Sequence, residues 1–391
     1  MTNQHMLAQR EQMQLASYAM HSEDSIGRKF AEPEHPYRGA FQRDRDRILH
    51  SSAYRRLSGK MQVFTGDMGD YHRTRLTHTQ EVASIARTIG RALRLNEDLI
   101  EALALLHDIG HPPFGHAGED ALNECLADHG GFSHNRQALT IVEELESRYP
   151  DFPGLNLSRE TLEGQLIRAH KEAPDLSPLL EVQVVEAADS ITYDAHDTDD
   201  AIKLGMLTID QVSTIPLIHD VVSRVRSRHT GLSGSMLRKA MVHELVDVQV
   251  SDVLREAFSV LNNYEGCTAT ELRQADFRIG PGSDLGAQKG ELEKFLHETV
   301  YRHPQLMEVR TVSQNRLKEM YLGYLEDSSP LPNLVQNRAE VVGMPVSICD
   351  YLAGMTDRFC DAQFHQHFEN SDPGYSVRGG KSVECTVSDA G

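Results

Sequence analysis

The spacing of apolar side chains predicts α-helices along nearly the whole chain. In residues 76–95, five apolar side chains recur with a period of 3.6 and form one helical stripe: Val82, Ile85, Ala86, Ile89 and Leu93. Asn96 then occupies the N-cap position of a leucine-rich helix that leads to His107. Helical patterns recur after residue 118 and in 132–149, 161–170, 181–204, 208–225, 235–263, 287–301, 305–326 and 334–366. No strand alternation, repeat or heptad run interrupts them, so the pattern predicts an all-α fold.

Four regions are predicted from the same pattern. Residues 1–36 form an N-terminal helix and an extended arm, and residues 37–205 form the helical core that carries the candidate chemistry. Residues 206–368 form a C-terminal helical region packed on that core, with a glycine-rich connection at 278–290. Residues 369–391 lack large apolar side chains and are predicted to be a disordered tail.

Composition narrows the possible functions. The 391-residue chain carries a formal net charge of -19, from 39 basic and 58 acidic residues, which argues against a broad surface for nucleic-acid phosphates. A local cluster of cations could still bind a small phosphate-bearing substrate. The chain has no apolar run of membrane-spanning length, and residues 1–20 lack the basic start and apolar stretch that are typical of a signal peptide. Its five scattered cysteines favour reduced thiols, so we predict a cytoplasmic protein without membrane association.

One short stretch concentrates unusual chemistry. The segment ALLHDIGHPPFGHAGED, residues 104–120, contains three histidines and Asp108 within ten positions, with Glu119 just beyond them. Pro112 and Pro113 cannot continue a helix, so the preceding apolar helix must end just before them. The last turn of that helix therefore presents His107 and Asp108 together.

Two more residues complete a candidate metal site. His78 lies near the start of the helix before, and Asp189 lies within the later helical stretch AADSITYDAHD. Imidazoles and carboxylates together suit a divalent ion such as Mn²⁺, Fe²⁺, Ni²⁺ or Zn²⁺, and Mg²⁺ is a further candidate. A lone His-Asp dipeptide carries little information, because it usually belongs to a surface or a satisfied core pair. The H…HD…D order, followed by the GHPPFGH turn, makes metal binding the better interpretation.

These motifs resemble a known family. The H…HD…D set is similar to the ligands of the HD-domain superfamily of metal-dependent phosphohydrolases, and the chain as a whole resembles bacterial deoxyguanosinetriphosphate triphosphohydrolases. The resemblance extends from about residue 32 to residue 359, and its most specific part is HDIGHPPFGHAGE. Other matching stretches are RTRLTHTQEVASIARTIGR, GGFSHN, GLNLSRETLEG, EAADSITYDAHD and DYLAGMTDRF. One departure is Ser190, where many relatives carry a charged residue.

The resemblance implies a reaction and roles for several residues. Family members hydrolyse deoxynucleoside triphosphates (dNTPs), dGTP among them, at the α-phosphorus and release a deoxynucleoside and inorganic triphosphate. A proton donor is needed for the leaving 5′-oxygen, and His116, oriented by Glu119, is our candidate. His111 and His134 are expected to line the pocket. The structural alternatives are a helix N-cap or loop hydrogen bond for His116 and a histidine at a helix start for His134.

Substrate recognition is expected to use further residues. Arg75, three residues before His78, is the preferred triphosphate contact, and Lys60 is a second candidate. Most of the other arginines, including those of RDRDR at 43–47, are expected to be solvated or to pair with neighbouring aspartates. Asp189, Tyr193 and Asp197 are spaced i, i+4, i+8 and therefore share one helical stripe. By resemblance, Tyr193 packs on the deoxyribose, while Asp197 and Gln62 hydrogen-bond the 3′-hydroxyl. The alternatives are a core aromatic for Tyr193 and a surface charge for Asp197.

Two other functions stay open at this point. An HD-type nucleotidase or phosphodiesterase would share the metal site without needing the sugar-binding set. A nucleotide-sensing or single-stranded nucleic-acid-binding protein with a vestigial site is the third possibility. Because relatives form oligomers, often hexamers, with activating nucleotides at subunit interfaces, the resemblance also implies a homo-oligomer and a dNTP activator. The preferred base would be recognised after Gly205 or by a neighbouring subunit.

Overall fold

The structure, a computed structural model, describes residues 3–62, 73–169, 176–275 and 277–368. It confirms the all-α prediction, since the described residues form helices and only three isolated β-bridges. The α-helices in this part of the chain are α1 (Asn3–Gln14), α2 (Ala40–Leu49), α3 (Ser52–Arg56), α4 (Arg75–Ala92), α5 (Glu97–Leu106), α6 (Gly115–Cys125), α7 (His134–Thr140), α8 (Arg159–Ala169), α9 (Leu180–Lys203), α10 (Ile209–Val212), α11 (Pro216–Arg228), α12 (Gly234–Leu261), α13 (Ala269–Leu272), α14 (Ser283–Thr299), α15 (Pro304–Glu326), α16 (Asn333–Val342), α17 (Met344–Ala353) and α18 (Asp357–His367).

Helices α4, α5 and α9 pack together and form the centre of the fold. The predicted apolar stripe of α4 faces this core, where Val82, Ala86 and Ile89 are completely buried. From the neighbouring helices, Leu99 and Val184 join the same apolar cluster. Burial of apolar side chains is the main term that stabilises such a core, so these three helices hold fixed positions relative to one another.

The caps of α4 and α5 bring their functional ends together. Thr74 begins α4 with a capping box, and Asn96 begins α5 by accepting a hydrogen bond from the backbone N–H of Leu99, as predicted. Only residues 93–96 connect the two helices, so they run antiparallel. The first turn of α4, with His78, therefore lies beside the last turn of α5, with His107.

The C-terminal helices cover the turn that follows α5. Phe114 and Leu122 pack into a second apolar cluster with side chains from α15 and α17, among them Leu317, Ile348 and Leu352. Residues far apart in the sequence thus enclose the 111–115 turn. The predicted boundaries of the four regions stay predictions.

Ion pairs fix the N-terminal arm to the core. Arg28 pairs with the buried Asp44, while Arg43 and Arg47 both contact Glu32. Arg43 and Arg47 therefore form ion pairs, but with Glu32 and not with the neighbouring aspartates that were expected. None of the helices in the described ranges is long and apolar enough to cross a membrane.

Three sequence predictions need correction. The single pattern at 334–366 is three helices, because Gly343, with φ of 86°, ends α16 and a second break precedes Asp357. The 278–290 segment is not all connection, since α14 begins at Ser283 and includes two glycines. The helix predicted at 132–149 ends in a π-helical turn at Ile141–Leu145. The predicted disordered tail at 369–391 lies outside the described residues.

Gly110 allows the close approach of α7 to the turn after α5. A Cβ atom at this position would overlap the carbonyl oxygen of His134 and the backbone nitrogen of Ala138. Both obstacles are backbone atoms, which cannot move without shifting α7 as a whole. Any larger residue at position 110 would therefore displace His134.

We predict that Gly110→Ala destabilises the protein by about 1–3 kcal/mol, the usual cost of overpacking. Gly290→Ala is the matched control, because a Cβ there meets nothing within 4 Å and the position lies inside α14. The control should be neutral or stabilising by up to about 1 kcal/mol. Thermal and urea unfolding of both variants measure the difference, and equal stabilities would contradict the close approach.

Candidate metal centre and active site

Three helices bring a set of metal-binding side chains together. His78 from α4, His107 after α5 and Asp189 from α9 present ligand atoms that all lie within 4.8 Å of one another. Nε2 of His78 lies 3.2 Å from Oδ1 of Asp189, and Nε2 of His107 lies 3.7 Å from the same oxygen. Asp108 adds a carboxylate oxygen 3.5 Å from Nε2 of His107. Three of the four predicted ligands therefore form one compact group, and the fourth adjoins it.

The protonation of His107 suits a cation. Its Nδ1–H donates to the carbonyl oxygen of Ala104 at 2.6 Å, so Nε2 carries the lone pair. Among the described residues, this buried Nε2 atom has no hydrogen-bond partner. Burial also lowers the pKa of His107 and so favours the neutral ring. A neutral imidazole aimed at two carboxylates fits the chemistry of a divalent metal ligand.

His78 has the same tautomer as His107, with the proton on Nδ1, and here the hydrogen-bond partners are side chains. The imidazole of His196 contacts the Glu81 carboxylate through Nε2, and its Nδ1 lies 3.4 Å from Nδ1 of His78. Burial lowers the pKa of His196 and favours a neutral ring, which can accept at only one nitrogen. With Nε2–H donating to Glu81, Nδ1 of His196 accepts from Nδ1–H of His78. Nε2 of His78 then keeps its lone pair toward Asp189.

Asp108 connects the metal-binding group to a second cluster. One carboxylate oxygen accepts a 2.8 Å hydrogen bond from Arg75, and the other lies 3.0 Å from Nδ1 of His111. Burial alone would raise the pKa of Asp108, but its contacts with His111, His107 and Arg75 outweigh burial and hold this pKa well below its usual range. The group is therefore an ionised carboxylate at neutral pH.

Asp189 is held by a residue that sequence reasoning missed. Arg168 on α8 donates to its second carboxylate oxygen at 2.8 Å. Burial opposes ionisation of Asp189, yet its interactions with His107, His78 and Arg168 lower its pKa below the usual value. Nothing in the local sequence marks Arg168, because the two side chains come from different helices.

The second cluster contains the predicted catalytic residues. Glu119 accepts from the backbone N–H of His134 at 3.0 Å and lies 2.7 Å from Nδ1 of the His134 ring. Its other oxygen lies 3.3 Å from Nδ1 of His116, whose side chain is 57% exposed. The rings of His111 and His134 stack at 3.8 Å, and burial followed by the Arg75 charge lowers the pKa of His111 well below its usual value. The structure thus brings four predicted site residues into mutual contact.

Two structural alternatives are decided by these positions. His116 is not a helix N-cap, because Phe114 occupies that position before α6. His134 does begin α7, but its ring also contacts Glu119. His134 therefore both begins a helix and belongs to the cluster around Glu119.

Arg75 and Lys60 are more deeply buried than phosphate contacts would suggest. Arg75 is 1% exposed and is engaged by Asp108. The Lys60 ammonium donates to the carbonyls of His111 and Ala353 at 2.6 and 2.9 Å, and burial lowers its pKa to about 7. Both residues thus have structural partners, and their phosphate contacts stay predictions. Gln62 lies close by, with its backbone carbonyl 3.4 Å from a guanidinium nitrogen of Arg75.

The predicted sugar-binding residues share one face of α9, as their spacing requires. Asp197 is 2% exposed and accepts a hydrogen bond from Tyr301, so the surface-charge alternative is wrong. Burial raises the pKa of Asp197 to about 7. The rings of Tyr193 and Tyr301 lie parallel with their centroids 6.2 Å apart. Tyr301 was not predicted, because its contacts with α9 span more than 100 residues of sequence.

Comparison with protein families matches this architecture. Residues 75–194, from the start of α4 into α9, match the HD domain, and residues 282–366 match a phosphohydrolase-associated domain. The helical core and its His/Asp centre therefore define an HD-domain phosphohydrolase, a metal-dependent class.

Relatives along the full chain define the family more closely. Deoxyguanosinetriphosphate triphosphohydrolase-like proteins of Geobacter metallireducens and Azoarcus sp. are 38% and 39% identical over 92% of this chain, covering 96% and 98% of their own lengths. The protein of that name from Thiobacillus denitrificans is 41% identical over 88% of this chain and 94% of its own length. The chain belongs to this family of deoxyguanosinetriphosphate triphosphohydrolase-like proteins.

We predict that His196→Ala lowers the affinity for a divalent ion by about 10- to 100-fold, the usual effect of removing a partner that orients a ligand histidine. The reason is that Nδ1 of His78 loses the acceptor that fixes its tautomer. Titration of the metal-free protein with Mn²⁺ measures this affinity. His219→Ala, which removes an exposed histidine of α11, is the control and should bind as wild type does. Unchanged affinity in His196→Ala would show that this chain of contacts does not orient His78.

Proposed function

We propose that this protein hydrolyses dNTPs, dGTP among them, at the α-phosphorus in a metal-dependent reaction that releases a deoxynucleoside and inorganic triphosphate. The observation that carries the proposal is the arrangement of two clusters around Asp108. One cluster offers metal ligands, and the other offers histidines paired with a carboxylate. The family relationship supports the same chemistry.

The proposed ligands are His78, His107, Asp108 and Asp189. Their mixed imidazole and carboxylate donors suit Mn²⁺, Fe²⁺, Ni²⁺ or Zn²⁺, with Mg²⁺ as a harder alternative. When bound, such an ion supplies a Lewis acid for a phosphoryl oxygen and lowers the pKa of a water molecule. Elemental analysis of the purified protein identifies the ion.

The proton for the leaving 5′-oxygen comes from His116 in this proposal. The Glu119 carboxylate, 3.3 Å from Nδ1, orients the His116 ring, and the exposed side chain allows a substrate to approach it. Glu119 also binds His134, so one carboxylate orients two histidines. The buried His111, stacked on His134, would line the phosphate pocket.

For the substrate, Tyr193 is proposed to pack on the deoxyribose one helical turn after Asp189. Asp197 and Gln62 would hydrogen-bond the 3′-hydroxyl, with Arg75 and Lys60 near the phosphates. Tyr301, which donates to Asp197, would hold that carboxylate in place. Cytoplasmic location, a homo-oligomer, an activating dNTP at a subunit interface and single-stranded nucleic-acid binding stay predictions from the resemblance and composition.

The decisive experiment incubates the purified, metal-loaded protein with each dNTP and each ribonucleoside triphosphate. Equal amounts of deoxynucleoside and inorganic triphosphate are the expected products. Release of orthophosphate, or hydrolysis of monophosphates or cyclic nucleotides instead, would indicate an HD-type nucleotidase or phosphodiesterase. Nucleotide binding without any hydrolysis would indicate a sensing protein.

We predict that His116→Ala keeps its metal and still binds a dNTP but loses turnover by about 10²- to 10⁴-fold, the usual contribution of general acid catalysis. Glu119→Gln should show a smaller loss of the same kind, because the imidazole remains but loses its charged partner. His129→Ala, at an exposed position just after α6, is the control. Metal content, nucleotide affinity and single-turnover rate are measured on all three. Near-normal cleavage by His116→Ala, or loss of its metal, would assign this histidine a different role.

We predict that ribonucleotides are poor substrates and that Tyr193→Ala reduces this discrimination by about 10- to 200-fold, the range for one apolar pocket contact. The ring lies on the face of α9 that carries Asp189, where it would meet the edge of the sugar. Ratios of kcat/KM for dGTP and GTP measure the effect. Tyr37→Ala, which removes an exposed ring of the N-terminal arm, should leave the ratio unchanged. If the kcat/KM ratio of dGTP to GTP in Tyr193→Ala equals that of wild type, Tyr193 does not contact the sugar.

A further inference from the structure

Asp357 makes contacts that the proposed reaction does not explain. It is the first residue of α18, in the phosphohydrolase-associated region, yet its carboxylate points at the core of the HD domain. One oxygen accepts from the backbone N–H of Phe114 and the other from the backbone N–H of Met61, both at 2.9 Å. A single carboxylate therefore joins two segments that are each more than 240 residues away in sequence.

The first of these segments is a turn with an unfavourable backbone. Phe114 has φ of 62° and ψ of 19°, which lie in the left-handed region that residues other than glycine rarely adopt. Gly115 follows with φ of 57° and begins α6, which carries His116 and Glu119. Such a conformation persists only when surrounding contacts hold it. The hydrogen bond from Phe114 to Asp357 is one of these contacts.

The second segment supports the metal-binding group. Met61 lies in a short bridge where Gln62 donates to the carbonyl of Arg73 and Arg75 donates to the carbonyl of Lys60. The side chain of Arg75 then reaches Asp108. By holding Met61, Asp357 holds the stretch from which Arg75 extends.

The two segments also meet each other. A Cβ atom at Gly115 would lie 2.8 Å from a guanidinium nitrogen of Arg75, which is closer than real Cβ contacts. Lys60 strengthens the same junction, since its ammonium bridges the carbonyls of His111 and of Ala353 at the end of α17. The α17–α18 pair therefore holds the 111–115 turn at two polar points, and Phe114 adds apolar packing.

We propose that Asp357 is a positioning residue, through which the C-terminal region sets the placement of His116 and Glu119 relative to the metal-binding group. The inference rests on the proposed role of His116 in catalysis. Asp357 acts through the backbone of Phe114 and Met61 and needs no contact with the substrate. Removing one of its two acceptors should leave the metal ligands in place while the turn, and with it His116, loses its fixed position.

Asp357→Asn tests this proposal, because the amide keeps the size of the side chain but presents an NH₂ group to one of the two N–H donors. We expect kcat to fall by about 10- to 100-fold, since a displacement of roughly 1 Å has this scale of effect on a positioned reaction. Metal content should stay within about twofold of wild type, because Asp357 contacts none of the ligand side chains. The fall in kcat should exceed any rise in KM, because Gln62, next to Met61, keeps its own hydrogen bond to Arg73. Hydrogen exchange should accelerate in peptides covering 111–119 and stay unchanged in those covering the α11 helix.

Asp361→Asn is the matched control. It lies four residues later on the same helix and pairs with Arg316 at the surface, so the same chemical change should leave kcat and the exchange of 111–119 as in wild type. Asp357→Glu, which retains both acceptors but moves them by one methylene, should give an intermediate kcat. If Asp357→Asn does not fold, the kcat of Asp357→Glu and its hydrogen exchange over residues 111–119 test the proposal instead.

Wild-type kcat and wild-type exchange of 111–119 in a folded Asp357 variant would overturn the proposal. A second result would also overturn the proposal: a variant whose kcat equals that of wild type once the rate is divided by the amount of folded, metal-loaded protein. In that case Asp357 would contribute to stability alone. Failure of the proposed function is distinct from both, since wild type would release no inorganic triphosphate while the exchange comparison could still be made.

Discussion

A buried carboxylate, that of Asp108, lies where the parts of the site meet. Removing a charge from water is costly unless partners surround it, and here the partners come from separate elements. Arg75 extends from the start of α4, His107 precedes Asp108 at the end of α5, and His111 lies in the next turn. Because each of these groups compensates the same charge, the position of one constrains the others. The metal-binding group and the histidine–glutamate cluster are therefore parts of a single electrostatic unit.

Sequence analysis could predict those features that depend on local periodicity. The stripe of α4, the Asn96 cap and the His107–Asp108 pair at a helix end all follow from spacing and from the proline break. The shared face of Asp189, Tyr193 and Asp197 follows from the helical repeat. His196 lies on that face too, seven residues after Asp189, so the same argument could have identified it. These are contacts within one helix or between neighbouring helices.

Partners from distant helices could not be predicted in this way. Arg168 and Tyr301 contact site residues from other helices. Asp357 contacts the backbone beside the site from more than 240 residues away in the chain. No local pattern distinguishes them from other polar residues, because their importance arises only when the core brings the helices together. The divided 334–366 segment is a different case. Gly343, with φ of 86°, and Pro345 two residues later are local signals for the end of a helix, so the sequence could have predicted that break.

The charge balance of the metal-binding group would allow an acidic protein to bind the polyanionic substrate proposed for it. Asp108 is paired with Arg75, and Asp189 is paired with Arg168, so each ligand carboxylate already has a compensating guanidinium. Both histidines are set to offer neutral nitrogens. A divalent ion in this group would thus add its charge to surroundings that are close to neutral, and the resulting positive potential would attract phosphate oxygens despite a net charge of -19 on the whole chain. The same two arginines keep the ligand carboxylates ionised, so a bound ion would supply most of the positive charge that this group offers to phosphate oxygens.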